Sequence, residues 1–174
     1  MDAILHADLA LSSWVVAHRI GALSWAMWTL SAIGRGGTVF LVIGVGLAIA
    51  RRVPARGLAR LLLAIVLATL VADHLLKPIV HRQRPFRQQP AIEVIGGRPD
   101  DASFPSGHAA NAFAGASVLG RLLPSAAWIW WSVAAGVAVS RVYLGVHYPL
   151  DVLAGAAVGL GCAALASIRW TEDQ

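Results

Sequence analysis

The stretch S-R-V-Y-L-G-V-H-Y-P-L-D, residues 140–151, places a guanidinium (Arg141), an imidazole (His147) and a carboxylate (Asp151) close together in the chain. Long apolar segments flank it on both sides. A charge in apolar surroundings costs free energy unless it is paired or used. Two other polar islands share this setting: K-P-I-V-H-R-Q-R-P at 77–85 and P-S-G-H at 105–108. If the apolar segments between them are helices that cross back and forth, all three islands meet at one end of the bundle.

Composition supports such a bundle. Of 174 residues, 57% are hydrophobic and 13% charged, about half the charged fraction of an ordinary soluble domain. The apolar runs are continuous and not alternating, so the expected class is an all-α integral membrane protein, not a β-barrel. One domain over residues 1–174 is the natural division. The sole cysteine, Cys162, lies in an apolar G-C-A-A-L-A run and reads as a small packing residue. The formal charge of +5 does not point to nucleic acid, because the cations are not spread over a soluble surface. Arg51, Arg52, Arg56 and Arg60 share one loop region, which reads as a cytoplasmic anchor. Lys77, Arg82, Arg84, Arg87, Arg98 and Arg141 gather around the islands and read as an anion site. The first residues, M-D-A-I-L-H-A-D, lack the features of a cleaved leader, and none is expected.

Along the chain, about six helices are expected: five clear spans and an N-terminal piece. Residues 3–18 form a helix with a polar side (His6, Asp8, Ser12, Ser13). It either lies in the membrane interface or begins a broken span that continues through 21–33. Trp14, Trp25 and Trp28 suit an interfacial belt as well as ordinary packing. Gly34 to Gly37 is a turn. Residues 38–50 make a short span of roughly 16 residues with flanks, ~24 Å long. Residues 58–76, 106–123, 126–142 and 149–168 supply the other four. Residues 81–104 form the only long loop, rich in proline and glycine, and read as a cap. Small residues in 107–116 and at Gly155 and Gly159 predict close helix contacts. Alternation alone then puts all three islands on the face opposite the basic loop. The positive-inside rule makes that face the outer one, giving an expected location in a bacterial plasma membrane with a periplasmic site.

The islands have a readable chemistry. Lys77, Arg84 and Arg141 are fixed cations with few carboxylates nearby, and an anion with several oxygens suits them. Ser106 is a good helix N-cap, Gly107 permits close backbone approach, and the N–H groups of a helix start favour phosphate. His147 and Asp151 are four residues apart with Pro149 in the first turn of the last span. A carboxylate beside one ring nitrogen fixes the tautomer and frees the other nitrogen to attack phosphorus. His108 can protonate the leaving oxygen and then activate water. Other readings stay open. His108, His147 and Asp151 could hold a metal, although the cations repel one. Asp73 and Lys77, at i and i+4, suit a structural ion pair. His81, Arg82 and Ser140 are secondary candidates.

Taken together, the islands resemble the tripartite signature of the type 2 phosphatidic acid phosphatase (PAP2) superfamily. The pieces are K-x6-R-P at 77–85, P-S-G-H at 105–108 and S-R-x5-H-x3-D at 140–151, with no signature position missing. The resemblance implies phosphate binding by Lys77, Arg84, Ser106, Gly107 and Arg141. It implies His147 as nucleophile through a phosphohistidine, Asp151 as its partner, His108 as acid and base, and no metal or cofactor. The soluble vanadium haloperoxidases share the signature, but so apolar a chain does not fit them. The expected activity is hydrolysis of a phosphate or diphosphate ester of a membrane lipid, such as a polyprenyl diphosphate or a glycerophospholipid phosphate. The expected partners are that lipid and the bilayer, with no nucleic acid. A lipid A phosphatase, an inactive headgroup binder and, more distantly, an anion transporter are the alternatives.

Overall fold

The computed structural model describes residues 2–168, so the polar tail read at 169–174 lies outside the described residues. All regular structure among the described residues is helical. The long helices are α1 (Asp2–Ala17), α2 (Gly21–Gly34), α3 (Thr38–Ile49), α4 (Ala55–Thr69), α7 (Gly107–Leu122), α8 (Ala127–Tyr143) and α9 (Pro149–Ile168). Two short helices, α5 (Lys77–Val80) and α6 (Pro85–Gln88), belong to the region around the first island.

Five helices run back and forth as expected. Gly37, just before α3, and Gly44 within it pack on Ile65 and Leu61 of α4, while Phe40 meets Gly115 of α7. Helix α4 runs antiparallel to α7, with Thr69 bonded to Asn111 at one level and Gly57 beside Leu122 at the other. Helix α7 is almost wholly buried and packs against α4, α8 and α9. Three helical stretches are long and apolar enough to cross a membrane: Gly21–Ile49, Ala55–Gln88 and Pro149–Ile168. Helices α7 and α8, at 16 and 17 residues, are shorter than the about 20 of a full crossing. Protein surrounds α7, so lipid does not dictate its length. The chain is an integral membrane protein.

The N-terminal segment is a broken helix. The break falls at residues 18–20, and both pieces stay at the island end. Asp8 of α1 accepts from the N–H of Leu150 at 3.0 Å, and Val15 packs beside Val142 and Val152. In α2, Ser24 bonds Tyr143, and Ser31 accepts from Arg141. Gly36 and Gly37, at φ +59 and +70, then turn the chain into α3. Left-handed backbone of this kind is open to glycine at little steric cost. Trp14, Trp25 and Trp28 are all exposed on these two helices, as an interfacial aromatic belt requires.

Helix α4 does not end where a span of 58–76 would place it. It continues as a π-helical segment, Leu70–Leu76, and then as α5. Pro78 lacks an N–H, and its ring crowds the carbonyl four residues back. The wider π turn precedes it directly. Such segments shift the angular position of every later side chain, and they are frequent at functional sites.

Helices α7 and α9 make the closest contact in the bundle. A Cβ on Gly155 would strike the Ser106 carbonyl oxygen, and one on Gly159 the Ala110 carbonyl oxygen. The small-residue spacing in the sequence therefore marks a backbone-to-backbone contact. Gly161, two residues further along and on the opposite face of the helix, has open space around it. Gly159→Leu is expected to lower the detergent-solubilised melting temperature by several degrees or abolish folded protein, because overpacking costs about 1–3 kcal/mol or more. Gly161→Leu is expected to melt within about two degrees of wild type. Equal effects of the two would contradict this packing.

Candidate active site

The stretch 140–151 builds the centre of the island end. Helix α8 stops after Tyr143, and Gly145 takes φ +79, a left-handed conformation that commonly follows a helix C-terminus. The backbone N–H groups of Val146 and His147 both return to the Arg141 carbonyl, at 3.2 and 3.3 Å. Pro149 then opens α9. This tight link buries His147 and puts Asp151 in the first turn of α9, where a carboxylate favours the helix dipole.

Asp151 has no solvent exposure and is held on every side. Its Oδ1 accepts from Arg82 Nη1 at 2.6 Å. Its Oδ2 accepts from Ser103 Oγ at 2.5 Å and from the Tyr148 N–H at 3.0 Å. His147 Nδ1 stands 3.5 Å from Oδ2, a long approach. On the other side of the ring, Nε2 lies 3.2 Å from Arg84 Nη1. A guanidinium can only donate, so Nε2 carries the lone pair and the ring proton belongs on Nδ1, facing Asp151. This arrangement leaves the basic nitrogen pointed towards the cations.

Those cations line one cavity of about 260 Å³, together with Arg35, Asp73, Asp101, Gly107, His108 and His147. Lys77 Nζ contacts Asp73 and Asp101, both at 2.6 Å. Arg84 donates to Asp101 Oδ1 at 2.7 Å and to the Val146 carbonyl at 2.7 Å. Arg141 is buried, donates to Ser31 Oγ, and leaves its Nε without a partner among the described residues. Asp101 thus bridges Lys77 and Arg84, two of the three cations expected to hold an anion. Burial would raise the Asp101 carboxyl, but hydrogen bonds from Lys77 and Arg84 outweigh it and hold it at about 2. It is therefore charged at every physiological pH. Among the described residues no group of three or more His, Cys, Asp or Glu is arranged to hold a metal ion.

The remaining expected residues fall in different places. Ser106 caps α7, accepting from the Ala109 N–H at 3.4 Å, and its own N–H goes to the Asp151 carbonyl at 2.9 Å. Gly107 lies so near the Asp73 carboxylate that a Cβ would sit 2.5 Å from Oδ1. Ser140 is buried and donates to the Val137 carbonyl at 2.6 Å, away from the cavity. His81 sits at φ +51 at the end of α5 and lines an outer hollow with Arg82, Arg87 and Asp100. Arg82 bridges Asp151 and Asp8, at 2.6 Å each, and stacks over the Tyr148 ring. It therefore acts on the site through Asp151.

Comparison with known proteins settles what this constellation belongs to. Residues 57–173 match the PAP2 superfamily. The chain belongs to the PAP2 superfamily. It is 36% identical over 145 residues to an undecaprenyl-diphosphatase of Sulfolobus acidocaldarius, covering 82% of this chain and 68% of the relative. Its fold matches that of a PAP2-type phosphatidylglycerolphosphate phosphatase from Bacillus subtilis. The TM-score there is 0.76 with 30% identity, over 96% of this chain and 86% of that one. It also matches Aquifex aeolicus LpxE with a TM-score of 0.77 and 28% identity, over 91% and 93% of the two chains. The protein is a PAP2 lipid phosphatase.

The PAP2 signature did not point to Asp8, Ser31, Arg35, Asp101 or Ser103. Each is a single residue in a helix or loop with no recurrent spacing. Only Asp8 carried a hint, as a carboxylate on the polar side of the N-terminal helix.

Two measurements check this geometry. Gly107→Ala should displace the Asp73 carboxylate, disturb Lys77 and cut kcat/KM by about tenfold or more while leaving the melting temperature near wild type. A variant of normal activity would contradict the close approach. His147 lies in the α8–α9 link, outside the spans, and burial is the main force pushing its imidazole down to about 4, against the raising effect of Asp151. A lowered pKa keeps the ring neutral over a wider acid range. The acidic limb of kcat/KM, after allowance for substrate ionisation, should therefore fall well below the ordinary 6.5. A limb at or above 6.5 would overturn that assignment.

Proposed function

We propose that the site hydrolyses a phosphate or diphosphate ester of a membrane lipid through a phosphohistidine formed on His147. The observation that carries this reading is the placement of His147 Nε2, 3.2 Å from Arg84 Nη1, on the wall shared with Lys77, Arg141 and His108.

The substrate phosphate takes over donors from Lys77, Arg84 and Arg141, and displaces Asp101 from the first two. Gly107 and the N-terminal turn of α7 add backbone donors. Nε2 of His147 attacks phosphorus, the bond to the ester oxygen breaks, and its electron pair goes to that oxygen. His108 delivers a proton there, and the lipid product leaves. His108, now neutral, takes a proton from water, whose oxygen attacks the phosphohistidine. Phosphate departs and His147 is restored. Asp151 supports the positive charge that the imidazole carries in between, and Arg82 and Ser103 keep Asp151 in place. The cations that line the cavity disfavour a divalent ion, so the chemistry proceeds on protein groups alone.

The names of the relatives bracket the substrate. One acts on undecaprenyl diphosphate and another on phosphatidylglycerolphosphate. For this chain the reading is a lipid headgroup that enters at the island end while its tail stays in the bilayer. The chain works as one domain. With the basic loop inside, the site faces the outer side of a bacterial plasma membrane.

The test is phosphate release from purified lipid phosphates in detergent micelles. His147→Ala is expected to lose about a thousandfold or more, and His108→Ala a comparable share. Acid-labile label from a ³²P-substrate should appear on wild type and not on His147→Ala. Full activity in EDTA is expected. Label trapped on another residue, or activity restored only by one divalent metal, would refute the mechanism.

A further inference from the structure

A second cavity, of about 410 Å³, adjoins the first. The two share Arg35, Pro99, His108 and Arg141 on their walls. The second is bounded further by Arg98 and by apolar groups such as Trp28, Ile95 and Leu144. His108, assigned above as proton donor to the leaving group, therefore stands at the junction of the two cavities.

Its charge pattern differs from that of the inner one. In the inner cavity Lys77 and Arg84 are matched by Asp73 and Asp101. No carboxylate lines the outer cavity. Among the described residues, Arg35, Arg98 and Arg141 have no carboxylate within 4.0 Å. Arg141 is moreover buried with an unpartnered Nε. A buried donor without an acceptor is costly. The unneutralised positive charge of the site thus lies on the wall the two cavities share, at Arg35 and Arg141, and in the outer cavity, at Arg98, where no carboxylate answers it.

We infer that Arg35 and Arg98, with Arg141, form a subsite for a second phosphorus-borne anion, so that the preferred substrate is a lipid diphosphate. This rests on the phosphatase reading above and narrows it. The terminal phosphorus binds among Lys77, Arg84 and Arg141, and the inner phosphate lies against Arg35 and Arg98. When the P–O bond breaks, its electron pair stays on a lipid monophosphate. That product is already a stable anion, with a second pKa of about 6, and the two arginines hold its charge as it develops. The apolar wall at Trp28, Ile95 and Leu144 receives the first carbons of the tail and leads them towards lipid. Arg35 lies in the elbow between α2 and α3, outside the residues that match the PAP2 superfamily. Arg98 lies in the 89–106 loop. Neither is part of the three islands.

The test compares a diphosphate and a monophosphate carrying the same prenyl tail. The readout is the ratio of their kcat/KM values. Wild type should favour the diphosphate. Arg35→Ala with Arg98→Ala should lower that ratio about tenfold, the scale of losing charge-assisted hydrogen bonds to phosphate. The double lysine variant should recover part of it, because charge remains while the bidentate fork is lost. Both side chains are exposed, and activity on the monophosphate reports that the double variant still folds. An unchanged ratio, whether both activities fall together or neither does, overturns the subsite and leaves the phosphatase reading intact. Failure of wild type to release phosphate from any lipid overturns both.

Discussion

A carboxylate sealed from water at the end of an apolar bundle must have its charge answered by donors in fixed positions. Asp151 is that group, and the donors come from across the chain. Arg82 arrives from the end of the first island, Ser103 from the loop before α7, and the Tyr148 N–H from the link into α9. Arg82 in turn needs a second carboxylate, which Asp8 provides from α1. Asp8 also accepts the N–H of Leu150 at the start of α9. Satisfying one buried charge thus ties the N-terminal helix, the loop and the last span to a single point. His147 lies against that point and takes its orientation from it.

The same logic explains how a cluster of cations survives before any substrate arrives. Lys77 and Arg84 are nearly buried, and bare cations there would be costly. Asp73 and Asp101 neutralise them, and Asp101 does so from an exposed loop position. A carboxylate offers two oxygens where a phosphate offers three or more. Under the proposed mechanism a phosphate ester takes its place. Arg141 is stabilised differently, by a neutral hydroxyl from α2, and keeps unspent donor capacity.

Close helix contact is what makes the islands converge. The approach of α9 to α7 at Gly155 and Gly159 puts the starts of both helices side by side, so that the Ser106 N–H reaches the Asp151 carbonyl. The π segment of Leu70–Leu76 does the equivalent for the first island. It places Asp73 against Gly107 and Lys77 within reach of Asp101.

The sequence alone determined the helical membrane class, the shared face of the three islands and the short-range spacings within each island, because these rest on continuous apolar runs, alternation of spans and local periodicity. His147 and Asp151 are neighbours on one helical turn, and Ser106 caps its own helix. Local chemistry dictates both. What only the tertiary structure decided is who answers each charge. That Arg82 serves Asp151, that Asp101 occupies Lys77 and Arg84, and that Arg35 lines the same cavity as His147 are long-range pairings. So is the lodging of both N-terminal helices at the island end. Such pairings are selected by the free energy of burying charges and fitting backbones across the whole bundle, and no local spacing encodes them.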